Sequence, residues 1–205
     1  MISQQLLVKQ KEKVIRVKLK LSWLFVAFTL LCSANDVFAQ RKKADYFLKP
    51  QTGIWFGPVT PVFSTADDVD TALWGGGFVR FNILSLPLKI GFDSSYEHFK
   101  SEGVKELTVI PVYGNILWRL PFDMPLAFQL KAGAGSAKVT IEPEGLQQWD
   151  PLGMLGFELS FPAGKWINIG LRIDYLFIYE GYIQGASKNG HIINTGLTLY
   201  LNIGM

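Results

Sequence analysis

The sequence predicts an all-β protein, an eight-stranded antiparallel up-and-down transmembrane β-barrel preceded by a cleaved signal peptide. Three observations predict it. Apolar residues recur at every second position through seven segments, the connections between segments alternate short and long, and 49% of the 205 residues are hydrophobic although no run of 18 apolar residues follows the first forty positions. A barrel wall spreads its apolar residues one in every second position, which reconciles high hydrophobicity with the lack of a helical span.

Residues 1–39 read as the signal peptide. Six basic residues from Lys9 to Lys20 precede an apolar run, Leu21 to Leu31, and Val37-Phe38-Ala39 forms a small-residue cleavage site, with the cut between Ala39 and Gln40. That run has 11 residues, too few for the ~20 of a transmembrane helix. The alternative of a lipoprotein signal using Cys32 meets Leu31, where such signals carry Gly, Ala or Ser. Residues 40–50 are expected to follow as a short periplasmic N-terminal segment, and 51–205 to form the outer-membrane barrel domain.

Removing residues 1–39 leaves 14 basic against 15 acidic side chains. The basic excess therefore belongs to the targeting segment, and the phosphate-neutralising patch of a nucleic-acid binder is missing. Cys32, the one cysteine, leaves as well, so no thiolate remains for catalysis, a metal or a disulfide.

The first strand, near Gln51 to Phe63, is the weakest, because Pro58 and Pro61 belong at an edge, a bulge or a strand end. In the second, Leu73, Val79, Phe81 and Ile83 oppose Trp74, Gly76, Arg80 and Asn82. In the third, Leu88, Ile90, Phe92 and Tyr96 oppose Lys89, Gly91, Asp93 and Glu97. The fourth sets Ile110, Val112, Ile116 and Trp118 against Tyr113, Asn115 and Arg119. The fifth sets Phe128, Leu130 and Ala132 against Gln129, Lys131 and Gly133. In the sixth Leu155, Phe157 and Leu159 alternate with Gly156, Glu158 and Ser160, and in the seventh Ile169, Leu171 and Ile173 alternate with Gly170, Arg172 and Asp174. The eighth, His191 to Met205, is the clearest, with Ile193, Leu197, Leu199 and Leu201 opposite Asn194, Gly196 and Thr198. A helix would bring Ile169, Arg172 and Ile173 to one side, so the spacing disfavours helix.

Short turns are expected near Ser85 to Pro87, Pro121 to Pro125 and Pro162 to Lys165. Longer outer loops are expected at Ser64 to Asp70, Lys100 to Lys105, Ser136 to Asp150, which includes Thr140 and Trp149, and Glu180 to Asn189. A soluble sandwich or lipocalin-like barrel also alternates, with its apolar face on a dry core. Side-chain size separates the two: the polar faces here carry Gly, Ser, Asn, Thr and opposed charges, which suit the narrow interior of eight strands, and the apolar faces carry bulky Leu, Ile and Phe. The inward charges are Arg80, Lys89, Arg119, Lys131 and Arg172 against Asp93, Glu97, Glu158 and Asp174, close to the balance that burial demands, and are expected to interlock and fill the lumen. Trp118, Phe122, Phe161 and Trp166 at one end, and Tyr96, Phe99, Tyr179 and Tyr182 at the other, are expected to form interfacial girdles.

Two segments resemble a known family. Leu107-Thr108-Val109-Ile110-Pro111-Val112-Tyr113-Gly114-Asn115 with Leu130-Lys131-Ala132-Gly133-Ala134-Gly135 is similar to the central hairpin of the small outer-membrane β-barrel domain proteins, the OmpA-, OmpX- and OmpW-like group. The last strand, with Asn194, Gly196, Leu199 and Leu201, resembles the signal read by the barrel-assembly machinery; Met205 departs from the terminal Phe commonest there. The resemblance implies an outer-membrane location, membrane lipid and the assembly machinery as partners, and a monomer.

No motif names a ligand or cofactor. His98 and His191 are the only histidines; with no elbow motif or neighbouring acid they build neither a hydrolase nor a metal site. Asp67, Asp68 and Asp70 read as a solvated loop face, and Gly75-Gly76-Gly77 lacks the lysine and helix of a phosphate cradle. The expected role is structural or surface-interactive. A narrow or lateral conduit for small apolar solutes is the alternative, and a lipid-modifying enzyme a more distant one.

Overall fold

The computed structural model describes residues 49–83, 86–101, 106–121, 126–164, 166–180 and 189–203. The chain divides into two compact units, Met1–Ala44 and Asp45–Met205, and the described residues lie in the second. Ala39, Gln40, Phe122, Tyr182 and Met205 fall outside them.

Eight strands follow one another: β1 (Gln51–Pro61), β2 (Ala72–Asn82), β3 (Leu88–Lys100), β4 (Glu106–Arg119), β5 (Ala127–Glu142), β6 (Leu146–Pro162), β7 (Ile167–Ile178) and β8 (Gly190–Asn202). Each pairs antiparallel with the next, and β1 closes on β8 with Gln51 opposite Asn202 and Val59 opposite Asn194, so the barrel has no edge strand. Strand lengths of 11 to 17 residues reach or exceed the ~9–11 that a tilted membrane strand needs. A 3₁₀ turn, Phe63–Asp67, lies between β1 and β2.

The two prolines of β1 sit where they cost least. Pro61 ends the strand, and the ladder to β8 lapses at Gly57 and Pro58 between the pairs Phe56–Leu197 and Val59–Asn194.

The expected loop Ser136 to Asp150 is corrected by the structure. β5 runs on to Glu142, β6 begins at Leu146, and the two stay in register out to Ile141 opposite Leu146. Thr140 and Trp149 are therefore strand residues on the outer face of a long hairpin. Its alternation is inverted relative to the rest of the wall: Ala137 and Val139 point inward and are buried, while Ser136, Lys138 and Thr140 point outward.

Candidate functional site

The period-two rule sends Arg80, Asp93, Lys131, Glu158, Arg172 and Asp174 into the lumen, each at most 3% exposed. The structure joins them. Arg80 on β2 meets Glu158 on β6 in a two-pronged contact, Nη1 to Oε1 at 2.9 Å and Nη2 to Oε2 at 2.7 Å. Lys131 Nζ lies 3.8 Å from Glu158 and 2.6 Å from Asp174. Arg172 donates to Asp174, to Asp93 at 3.1 Å and to the Tyr113 hydroxyl at 3.2 Å. Three cations thus face three carboxylates in one connected chain across the lumen. Each charge has its counter-ion at hydrogen-bond range, the condition under which buried ions persist.

The remaining predicted lumen charges do other things. Lys89 is buried and donates to Asn82 Oδ1 at 2.9 Å and to the Lys49 carbonyl. Arg119 stands half-buried at the end of β4. Glu97, 0% exposed, takes hydrogen bonds from Ser95 at 2.8 Å and Asn194 at 2.7 Å, with no cation at ion-pair range among the described residues.

Charge does not fill the lumen alone, which corrects the expectation of small and charged contents. Trp55, Phe78, Tyr113 and Tyr200 are buried beside the network, with the Arg80 guanidinium 3.9 Å from the Phe78 ring centre and that of Arg172 4.7 Å from Trp55. Space for them comes from glycine: a Cβ on Gly53 would lie 2.8 Å from the Phe78 ring and against Tyr200. Toward the β5–β6 hairpin end the interior is apolar, with Val59, Phe99, Val109, Val139, Leu176 and Ile178 at 1% exposure or less. Phe99, expected in an outer girdle, belongs to this plug, because β3 keeps its odd residues inward to the strand's end. Beyond it, Glu180 stands across from Asp150, since the Tyr179 N–H donates to the Pro151 carbonyl at 2.9 Å and prolongs the β6–β7 ladder. Burial pushes the Glu180 carboxyl up to about 7, and Asp150 and Asp68 add to the rise.

The outer wall is the reverse. Ile54, Phe81, Phe92, Ile116, Leu130, Leu155, Leu171 and Leu197, one from each strand, are 42–63% exposed. They form a continuous apolar girdle where soluble monomers leave only scattered patches. Trp118 and Trp166 flank it on one side, Tyr96 and Tyr179 on the other.

No family model matches the sequence, and no curated protein does. Among solved structures, Neisserial surface protein A is similar over 75% of this chain and 97% of its own, with a TM-score of 0.56 at 12% identity. The chain has the fold of the small outer-membrane barrels. The N-terminal barrel of OprF from Pseudomonas aeruginosa (15% identity, 76% and 98% coverage, TM-score 0.47) and OprG from the same organism (11%, 75% and 95%, 0.43) are also similar.

In this fold, the last-strand residues that resemble an assembly signal have packing roles. Asn194 is buried on Glu97, a Cβ on Gly196 would press on the Phe56 carbonyl at 2.6 Å, and Leu199 and Leu201 face outward. Two polar neighbours of His98 in sequence turn away from it: Ser95 points inward to Glu97, and Asp93 inward to Arg172. Contrary to expectation, His98 has an acid beside it. Its Nδ1 lies 3.0 Å from Thr108 Oγ1 and its Nε2 3.6 Å from Glu106, both supplied by β4. Sequence distance hid these partners; the β3–β4 register, His98 opposite Thr108 and Lys100 opposite Glu106, supplies them.

Proposed function

We propose that this chain is an exported outer-membrane β-barrel whose role is structural or interactive at the cell surface. The observation that carries the proposal is the apolar girdle on all eight strands around a lumen closed by buried side chains. Bulky residues exposed on every strand gain from hydrocarbon what they lose in water, roughly 1.5–3 kcal/mol for each fully buried side chain. A lumen whose central ion network and apolar plug are at most 3% exposed supports a wall rather than a pore.

Membrane lipid and the assembly machinery are the partners this reading entails, with the signal cut after Ala39 and the barrel a monomer. A surface ligand, if the barrel takes one, would meet the loops and the β5–β6 hairpin.

Fractionation followed by gels run with and without boiling tests location and fold together. The protein is expected in the outer-membrane fraction as a band that moves on boiling, and mass spectrometry of the mature chain should begin at Gln40. A soluble protein with no heat-dependent shift would refute the proposal. Planar bilayers with the refolded protein should stay electrically silent. His98→Ala should leave the acylation pattern of the membrane lipids unchanged, because Thr108 is a hindered secondary alcohol and Glu106 lies 3.6 Å from the ring; a changed pattern would point to an enzyme instead.

A further inference from the structure

Among the described residues, the β2–β3 ladder stops short of the strand ends. β2 is paired with β1 as far as Ala72 opposite Val59, but its ladder with β3 stops at Gly75 opposite Tyr96. β3 continues to Lys100, paired on its other side with β4 as far as Glu106. Ala72, Leu73 and Trp74 thus run past Glu97, His98 and Phe99 with no ladder between them. The chains rejoin where the Asp70 N–H donates to the Lys100 carbonyl at 3.1 Å.

The Trp74 indole stands in for one missing rung. Its Nε1 donates to the His98 carbonyl at 2.6 Å, and its ring meets Tyr96 edge-on at 5.2 Å. What is left is a cleft of about 240 Å³, bounded by Asp70 and Lys100 at one end and by Leu73, Trp74 and His98 along its length. It does not lead into the lumen, because Glu97 and Phe99, both 0% exposed, close the inner side. Outside it, Leu73 is 63% and Tyr96 47% exposed.

The chemistry of this opening is mixed. Main-chain groups without a ladder partner are costly against hydrocarbon, so a polar head group suits the cleft better than an alkyl chain. One exposed carboxylate and one exposed ammonium share the rim, which disfavours an occupant of single charge. The Trp74 ring lines the same cleft, and an aromatic face attracts a quaternary ammonium. The volume falls below the ~300–1,000 Å³ of a site that encloses a whole drug-sized ligand, so only a head group fits, with the remainder outside along Leu73 and Tyr96.

We propose that this cleft binds a zwitterionic single-chain amphiphile, its phosphate at Lys100, its ammonium at Asp70 and Trp74, and its alkyl chain along Leu73 and Tyr96. The proposal rests on the membrane placement argued above. The test uses the refolded barrel in dodecyl maltoside micelles, following the Trp74 indole N–H resonance, assigned by its loss in Trp74→Phe, as dodecylphosphocholine is added at rising mole fraction. A saturable shift is expected. Asp70→Asn and Lys100→Gln should each weaken it about two- to fivefold, the range for exposed charge contacts.

Dodecyl phosphate and dodecyltrimethylammonium, added to the unaltered protein, should each bind more weakly than the zwitterion, an arm that needs no variant to fold. Equal binding of either singly charged amphiphile, or no saturable shift, would overturn the proposal. A protein that stays monodisperse without detergent would instead refute the membrane placement, and that is seen before any titration begins.

Discussion

Arg80 and Glu158, 78 positions apart in sequence and on opposite walls of the barrel, share two hydrogen bonds of 2.9 and 2.7 Å at 0% exposure. The contact spans the lumen, so it ties β2 to β6, which never pair as strands. Removing one partner strands a buried charge, which costs about 3–5 kcal/mol. Glu158→Gln is expected to lower unfolding stability in micelles by that amount, since Lys131 also leans on the same carboxylate. Arg80→Met with Glu158→Met should recover most of the loss. Urea titration followed by far-ultraviolet circular dichroism measures both, and a double variant as weak as the single would contradict the assignment.

Glu97 gives the opposite expectation. Its hydrogen bonds come from Ser95 and Asn194 rather than from a cation, so a neutral amide of the same shape satisfies the site. Glu97→Gln should change stability by less than about 1 kcal/mol, well under the loss from Glu158→Gln. Parallel urea midpoints decide it; equal losses for the two would mean that Glu97 is held as an ion.

The strands that cross the girdle were legible because β7 over residues 167–174 and β8 over residues 196–201 put bulky apolar residues on the outward positions at period two. The long β5–β6 hairpin was not, for a physical reason. Past the girdle the inside is an apolar plug and the outward positions of β5 are polar, so Ser136, Lys138 and Thr140 face outward while Ala137 and Val139 face in. The alternation continues with its sense inverted, and a segment scored for outward apolar residues looks like a polar loop. Phe99 was misplaced by the same inversion. Alternation also named the inward charges of the network, but not its pairings: Arg80 to Glu158 and Arg172 to Asp93 cross the barrel, and strand order alone does not set which side chains meet across a lumen. Glu97 and Lys89 have the same period as their neighbours and differ only in height along the axis.

Facing is tested directly by charge insertion. Leu199, 48% exposed between Ile54 and Ile169, sits within the girdle. Thr140 points the same way but lies on the hairpin beyond it, opposite Thr108 and Gln147. Leu199→Arg should cost about 2 kcal/mol or more and reduce the heat-shifted band, whereas Thr140→Arg should cost about 0–1 kcal/mol. Equal effects would mean that the girdle is misassigned.

The acidic mouth gives a pH dependence of known sign. Glu180 stands across from Asp150, which is 3% exposed, and its carboxyl is raised from 4.5 to about 7 by burial first and by Asp150 and Asp68 second. A carboxyl raised on folding binds its proton more tightly in the folded state, so between about 4.5 and 7 the folded protein holds more protons than the unfolded chain. Stability from this group is therefore greatest below pH 4.5 and falls as pH rises through 7. Because Glu180 is only partly buried, the loss is on the order of 1 kcal/mol after allowance for solvent screening. Glu180→Gln removes the titrating group, and the urea midpoint of the variant should exceed that of the parent at pH 8 and approach it at pH 5. A difference that grows toward acid would reverse the sign and show that Glu180 is held ionised by a cation.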